Sequence, residues 1–333
     1  MVRLKIGIIG TGRIGKLHIA NLTALTKEFE IKAISDPFDK NLNELARDYN
    51  IPQTYKNYKD LIDKNDIQAV VIASSTDTHA EIITYAAKKG KDIFCEKPLD
   101  TNIERIKELI KIVEESKIKF QLGFNRRFDH NFRRVKEYVK DGNVGTPNII
   151  KITSRDPEPP PLKYIKVSGG LFMDMMIHDF DMARYLSGSE VVEVFASGAV
   201  LAEPTIGEAG DIDTAIVNLK FANGALGVID NSRQAVYGYD QRVEVFGTKG
   251  QAVAYNDRPT TVELDTQSGS YLDKIPFFFI DRYEQAYKDQ FKEFYNCLTN
   301  HCIPEVSAID GLKSVELAQA AAKSLREGRS VRL

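Results

Sequence analysis

Leu4-Lys5-Ile6-Gly7-Ile8-Ile9-Gly10-Thr11-Gly12-Arg13-Ile14-Gly15 is the stretch on which the fold is decided. Leu4 to Ile9 is short, apolar and rich in isoleucine, the pattern of a buried strand. The glycines then follow as G-x-G-x-x-G, and Gly15 to about Lys27 reads as a helix. Alone, such a motif is weak. Between a strand and a helix it has the context its mechanism needs. Gly10 allows a tight turn, Gly12 lets a pyrophosphate approach the backbone, and Gly15 packs helix on strand. The phosphates then sit on free N–H groups at the helix N-terminus.

Working outward, Glu30–Ser35, Ala69–Ser74, Asp92–Cys95 and Phe120–Gly123 read as strands, and 42–49, 79–89 and 102–116 as helices. Apolar strands alternating with helices predict a doubly wound parallel sheet, a Rossmann domain over residues 1–123. Residues 124–333 differ. Val191–Val200, 214–221, 225–230, 242–246 and 251–255 are strands without helices between them, with turn signals at Ala222-Asn223-Gly224 and at Gly247-Thr248-Lys249-Gly250. This predicts an α/β domain with a large, mostly antiparallel open sheet. Helices resume near 281–299 and 307–325, with Ser307 and Asp310 as a capping pair. The C-terminal helix is free to pack back on the first domain.

The chain has 333 residues, is 43% hydrophobic, and carries 45 basic against 47 acidic side chains, a net of −2. The composition is globular, and no basic excess favours nucleic acid or an anionic membrane. No apolar run approaches the roughly 18 residues of a bilayer span or the roughly 7–15 of a signal core. A cytoplasmic location is expected. The three cysteines, Cys95, Cys297 and Cys302, form no CxxC, so free thiols are expected.

Asp36 ends the second strand, 26 residues after Gly10, and Pro37 follows it. An acid there accepts from ribose hydroxyls and repels a 2′-phosphate, which selects NAD over NADP. Glu96-Lys97-Pro98 leaves the strand Asp92–Cys95 at its carboxyl end, where ligands of such sheets bind. In the run from Gly169 to Asp181, Asp174 and His178 are four apart and share a helical face, with Asp181 three further on. Imidazole beside a carboxylate suits proton transfer. The same residue types ligate metals, but no H-x-x-x-H or cysteine accompanies them, and no metal is expected.

The glycine loop, Glu96-Lys97-Pro98 and the G-G-x-x-x-D-x-x-x-H-D run, in this order, resemble the Gfo/Idh/MocA family of NAD(P)-dependent oxidoreductases over essentially the whole chain. Ser154-Arg155-Asp156-Pro157 and Ser232 to Arg242 resemble the branch that oxidises cyclic polyols such as inositols. The resemblance implies a homotetramer built through the open sheets and a catalytic set of Lys97, Asp174 and His178. It implies cofactor contacts at Gly10, Gly12, Arg13, Ile14, Gly15, Asp36, Ser74, Ser75, Thr76, His79, Glu96, Lys97, Asn125 and Tyr283. Substrate contacts fall on Lys97, Arg127, Asp156, Asp174, His178 and Tyr237. Two other classes stay open: a dinucleotide-binding sensor without turnover, and a lyase or hydrolase using NAD transiently. Within the oxidoreductases, scyllo-inositol, chiro-inositol and aldoses are alternative substrates.

Overall fold

The computed structural model describes residues 3–333, which form two compact units, 3–125 with Gln285–Lys313 and Arg126–Glu284 with Ser314–Leu333. In the first unit six parallel strands, β1 (Leu4–Ile9), β2 (Phe29–Ser35), β3 (Gln53–Tyr55), β4 (Ala69–Ile72), β5 (Asp92–Cys95) and β6 (Phe120–Leu122), lie in the order β3-β2-β1-β4-β5-β6. Chain order reverses between β1 and β4. The carboxyl ends of both strands therefore open on one crevice, the usual place for a ligand in this topology. Ile6, Ile8, Ala69, Val71 and Phe94 form the core with Ile19 and Leu22 of the helix Arg13–Ala24 and with Phe291 and Phe294. The predicted capping pair forms: Ser307 N–H donates to Asp310 (2.8 Å), and Asp310 N–H donates back to Ser307 Oγ (3.4 Å). Gly311 is tight, because a Cβ there would lie 2.8 Å from Leu99 and Leu122.

The second unit holds β7 (Pro147–Arg155), β8 (Val191–Ala199), β9 (Thr214–Phe221), β10 (Leu226–Ser232), β11 (Asp240–Gly247), β12 (Gly250–Ala254), the hairpin β13 (Glu263–Thr266) and β14 (Gly269–Leu272), and β15 (Val331–Arg332). Seven of them make one sheet, β12-β11-β7-β10-β9-β8-β15. All its pairings are antiparallel except β7 with β10, so the sheet is mixed and, as expected, mostly antiparallel. Both predicted hairpins form, β9–β10 and β11–β12. The helices His130–Lys140 and Ile177–Ser187 pack against β7, β11 and β12. The opposite face carries exposed apolar side chains described below.

Two expectations need correction. Cys297 and Cys302 are joined in a disulfide, and only Cys95 is a free thiol. The chain reverses just after the helix Glu284–Asn300, through His301 at φ 56°, and brings the two Cα atoms to 4.5 Å. Asp174 and His178 do not share one continuous helix. Asp174 ends the helix Gly170–Asp174, and His178 lies in the first turn of Ile177–Ser187. Met175 and Met176 N–H both donate to Leu171 C=O, which breaks the regular ladder between them. Among the described residues no helix is long and apolar enough to cross a membrane.

Candidate active site

In the first unit the glycine loop is built by close approach. Gly10 has φ +93°, and a Cβ there would lie 2.5 Å from Ser74 N. A Cβ on Gly15 would lie 2.0 Å from Gly10 C=O, so this glycine packs on the turn itself rather than on the strand. At Gly12 a Cβ would meet nothing within 4 Å. Gly12 caps the helix that begins with Arg13 and Ile14, and no side chain caps its first N–H groups. The helix Thr76–Lys88, with Ser75 at its cap, also starts without a side-chain cap. The open side of the loop and these uncapped N–H groups fit a dinucleotide pyrophosphate.

Asp36 closes β2. Its Oδ2 accepts from Thr11 N–H (2.9 Å) and Thr11 Oγ1 (3.2 Å), and its Oδ1 from Phe38 N–H (2.8 Å) and Asp39 N–H (3.0 Å). Burial alone would raise its pKa, but these donors outweigh burial and hold the carboxyl below its ordinary value. Thr11 Oγ1 also reaches Asp39 Oδ2 at 2.7 Å, and that contact lowers the Asp39 pKa. The end of β2 thus carries two carboxylates. Asp39 was missed in the sequence, although it stands three residues after Asp36.

Lys97 and Glu96 follow β5. Glu96 Oε1 lies 2.6 Å from Nε2 of the fully buried His18, and Glu96 Oε2 accepts from Lys97 N–H at 3.3 Å. His79 is 1% exposed, with Nδ1 2.8 Å from Pro98 C=O and Nε2 3.1 Å from Ser74 C=O. Burial lowers its pKa despite these acceptors. A neutral ring donates one of these contacts, and the Nδ1–H tautomer serves the closer one. His79 thereby ties the Ser74 loop to the Pro98 loop, with both ring nitrogens turned to backbone. Ser74 Oγ is engaged by Thr78 Oγ1 at 2.7 Å. Asn125 ends this unit, 3% exposed.

In the second unit every residue from Leu171 to Ala183 is buried except Asp174 and His178. These two polar groups are the openings in an otherwise closed run. Asp174 accepts from Tyr164 O–H (2.7 Å) and faces Arg233 Nη1 (3.4 Å). Asp156, half-buried just beyond β7, has a pKa pushed up to about 6 by burial. The Arg233 and Arg126 charges lower it, and those of Asp174 and Asp179 raise it. Asp156, Asp174 and Arg233 therefore belong to one electrostatic cluster. Tyr164 and Arg233 carried no sequence assignment. The neighbours of Tyr164 give no motif, and Arg233 stood inside a quoted segment without a role.

Other expected contact residues have protein partners of their own. Arg127 makes a bidentate, buried pair with Asp181 (2.9 and 2.5 Å). Its guanidinium fastens the turn Asn125–Phe128 to the helix Ile177–Ser187. Arg126 does the same with Asp179 at 2.5 Å, whose other oxygen accepts from Asn231 (3.0 Å). Tyr283 is 2% exposed and donates to Gln241 Oε1 at 3.3 Å, and burial pushes its pKa up to about 12. Tyr237 is 52% exposed and donates to Asp240 (2.7 Å) while accepting from Arg155 (3.2 Å). Asp156, Asp174 and Arg233 are thus brought together, whereas Arg127 and Tyr237 each belong to a different charge cluster.

The Gfo/Idh/MocA family model described as an oxidoreductase with an NAD-binding Rossmann fold matches residues 4–124, and the family's C-terminal domain model matches residues 132–253. The chain is 48% identical over 330 residues to a myo-inositol 2-dehydrogenase of Thermotoga maritima, covering 99% of this chain and 98% of that protein. A crystal structure of a probable dehydrogenase from Thermotoga maritima superposes with a TM-score of 0.96 at 48% identity, covering 99% and 98%. That of scyllo-inositol dehydrogenase from Lactobacillus casei, with bound NAD(H) and scyllo-inositol, gives 0.93 at 29% identity, covering 99% of each chain.

Cofactor preference follows from the two carboxylates. NAD will give the higher kcat/KM, and Asp36→Ala with Pro37→Arg will raise the NADP/NAD ratio. Asp39→Asn added to that pair will raise it further, by removing the second charge. Initial rates with both cofactors decide it, and a wild type that prefers NADP overturns the assignment. A pH effect follows from Asp156. Because its folded pKa lies above that of an unfolded aspartate (about 3.9), the folded chain keeps this proton longer. Its contribution to stability therefore falls as pH rises from about 4 to about 6. Urea midpoints across that window will fall more for wild type than for Asp156→Asn; parallel curves would show that the group titrates normally.

Proposed function

We propose a substrate and residue roles on one premise: the chain belongs to the Gfo/Idh/MocA family of NAD-dependent oxidoreductases. The reaction is oxidation of a cyclic polyol, myo-inositol at its 2-position, to the 2-keto compound. The observation that carries the substrate is the full-length 48% identity with a myo-inositol 2-dehydrogenase, against 35% with a scyllo-inositol 2-dehydrogenase of Bacillus subtilis. NAD held by the glycine loop and Asp36 would supply the acceptor for the hydride of the reacting carbon.

The chain's own residues do the rest. His178 removes the hydroxyl proton as the carbon–hydrogen bond breaks, so the alcohol leaves as ketone and the proton rests on imidazole. A positioned base of this kind contributes on the order of 10²–10⁴-fold. Asp174 orients His178 and favours its charged form, while Tyr164 and Arg233 hold Asp174 from two sides. Lys97 holds the reacting oxygen and offsets the charge that develops on it. Asp156 accepts from a substrate hydroxyl once ionised. Gly10 to Gly15, Asp36, Ser74 to Thr76 and Glu96 hold the cofactor. His79, Arg127 and Tyr283 position the loops and turns that carry these groups. An acid–base set of this completeness supports turnover over a sensor.

The partner proposed is a second copy, in a homotetramer, and the location is the cytoplasm. The uncovered sheet face supports the assembly. Phe246 (43% exposed) stands opposite Ile149 (37%), and Ile149 opposite Leu226 (53%), an apolar row across β11, β7 and β10, with Ile216 (51%) and Phe195 (39%) farther along β9 and β8. Such a face on a soluble enzyme calls for a like surface.

Lys97→Met will lower kcat by on the order of 10²–10³, as when one oxyanion donor is lost, with the melting temperature unchanged. Lys97→Arg will recover it only in part, since a planar fork does not replace a compact ammonium. NADH production from myo-inositol, scyllo-inositol, chiro-inositol and aldoses measures both substrate and effect. Lys97→Met within a fewfold of wild type removes Lys97 from the catalytic set, and a wild type that prefers an aldose overturns the substrate. Ile216→Lys with Leu226→Lys will reduce the wild-type tetramer to smaller species by light scattering; an intact tetramer would place the interface elsewhere.

A further inference from the structure

His18 lies in the helix Arg13–Ala24, and its side chain is 0% exposed. Its ring stands edge-on to three aromatic rings, with centroids 4.9 Å away at Phe291, 5.7 Å at Phe94 and 6.0 Å at Tyr287. Such a cage holds the imidazole in one orientation. Nε2 faces Glu96 Oε1 at 2.6 Å, and Nδ1 is buried without a hydrogen-bond partner. A proton on Nδ1 alone would have no acceptor, and would set the bare Nε2 lone pair against a carboxylate oxygen. The ring proton therefore sits on Nε2 and is donated to Glu96.

With no exposed surface, the ring meets neither substrate nor cofactor. What it holds is Glu96. The N–H of that residue donates to Ile72 C=O at the end of β4 (2.9 Å). Its second oxygen, Oε2, accepts from Lys97 N–H at 3.3 Å. Gly123 completes the seat, because a Cβ there would lie 3.0 Å from Cδ and Oε1 of Glu96. One oxygen of the carboxylate is thus fixed by His18 while the other reaches the backbone of Lys97. The last torsion of a glutamate is soft, so a carboxylate that loses the first contact turns and gives up the second.

We propose that His18 is a positioning residue: through Glu96 it fixes the backbone from which Lys97 reaches the reacting oxygen. The inference rests on the role of Lys97 given above, and adds to it the buried contact that sets where the ammonium stands.

The test uses the full-length enzyme with NAD and myo-inositol both saturating. His18→Leu keeps the bulk of the side chain and removes the donor, whereas His18→Gln keeps an N–H within reach of Glu96. His18→Leu will lower kcat by about tenfold or more, since a misplacement of about 1 Å costs on the order of 100-fold. KM for myo-inositol will stay within a fewfold, and His18→Gln will recover most of kcat. In the Lys97→Met background His18→Leu will cost less than about threefold, because the two changes remove one interaction. Gly123→Ala presses on the same carboxylate and leaves His18 in place; it will lower kcat in the same way, and again not in Lys97→Met. An equal loss in both Lys97 backgrounds, a loss confined to KM, or an unrecovered kcat in a His18→Gln enzyme that melts as wild type overturns the proposal. Should His18→Leu not fold, His18→Gln near wild type together with a slow Gly123→Ala supports it, and any other pair of results overturns it. If Lys97→Met itself stays within a fewfold of wild type, the reading of Lys97 fails by itself. The positioning is then read from hydrogen exchange of the Lys97 amide, which will be faster in His18→Leu than in wild type or His18→Gln; equal exchange in all three overturns it.

Discussion

The backbone of Gly10 and the helix that starts after Gly12 approach so closely that position 15 has no room for a β-carbon. A Cβ there would come within 2.0 Å of the Gly10 carbonyl oxygen. This contact folds the exit of β1 into a turn of minimal width, and Gly10 N–H at the same point donates to Ser35 C=O at the end of β2. Thr11 then bridges to Asp36 and Asp39, so one turn fixes both the glycine loop and the acidic corner at the end of β2. Cofactor chemistry in the first unit is thus set by main-chain geometry, and side chains refine it.

The second unit solves a different problem. It buries guanidinium groups at Arg126, Arg127, Arg233 and Arg282, each of which is costly to desolvate unless paired. All four have carboxylates in hydrogen-bond contact, Asp179, Asp181, Asp174 and Asp129. These pairs fasten separate segments of the unit to one another and leave little freedom in the run that carries Asp174 and His178. Such rigidity is what a positioned base needs, since a misplacement of about 1 Å costs on the order of 100-fold in rate.

How much of this was legible depended on the range of the determining contact. The Rossmann half was legible because its signals are local: isoleucine-rich runs, glycines and strand–helix alternation. The β9–β10 and β11–β12 hairpins were legible for the same reason, through Asn223-Gly224 and Gly247 to Gly250. β7 was not, although it is central, because its place beside β10 is a parallel pairing between segments more than 70 residues apart. The interruption at Met175 and Met176 was hidden by a helical pattern that continues across it. The Cys297–Cys302 bond depends on a turn that no motif announces. Among the candidate groups, Asp36, Asp156 and Asp174 stand in segments that the sequence singles out. Asp39 and Arg233 carried no role there, because their partners lie 28 and 59 residues away, and Tyr164 carried none, because it lies in no motif.

The arrangement around Arg233 bears on how such an enzyme can tell stereoisomers apart. Inositols have the same volume and the same functional groups, so apolar packing offers little discrimination between them. What differs is where each hydroxyl points. A polar group that is free to turn follows a misplaced hydroxyl at small cost. A group fixed from two sides, as Asp174 is by Tyr164 O–H and Arg233 Nη1, cannot follow it, and an unmade contact to a polar group costs more than a correct one gains. Selectivity then depends on polar groups held from behind by the protein, and the run from Leu171 to Ala183, buried except at Asp174 and His178, holds them in that way.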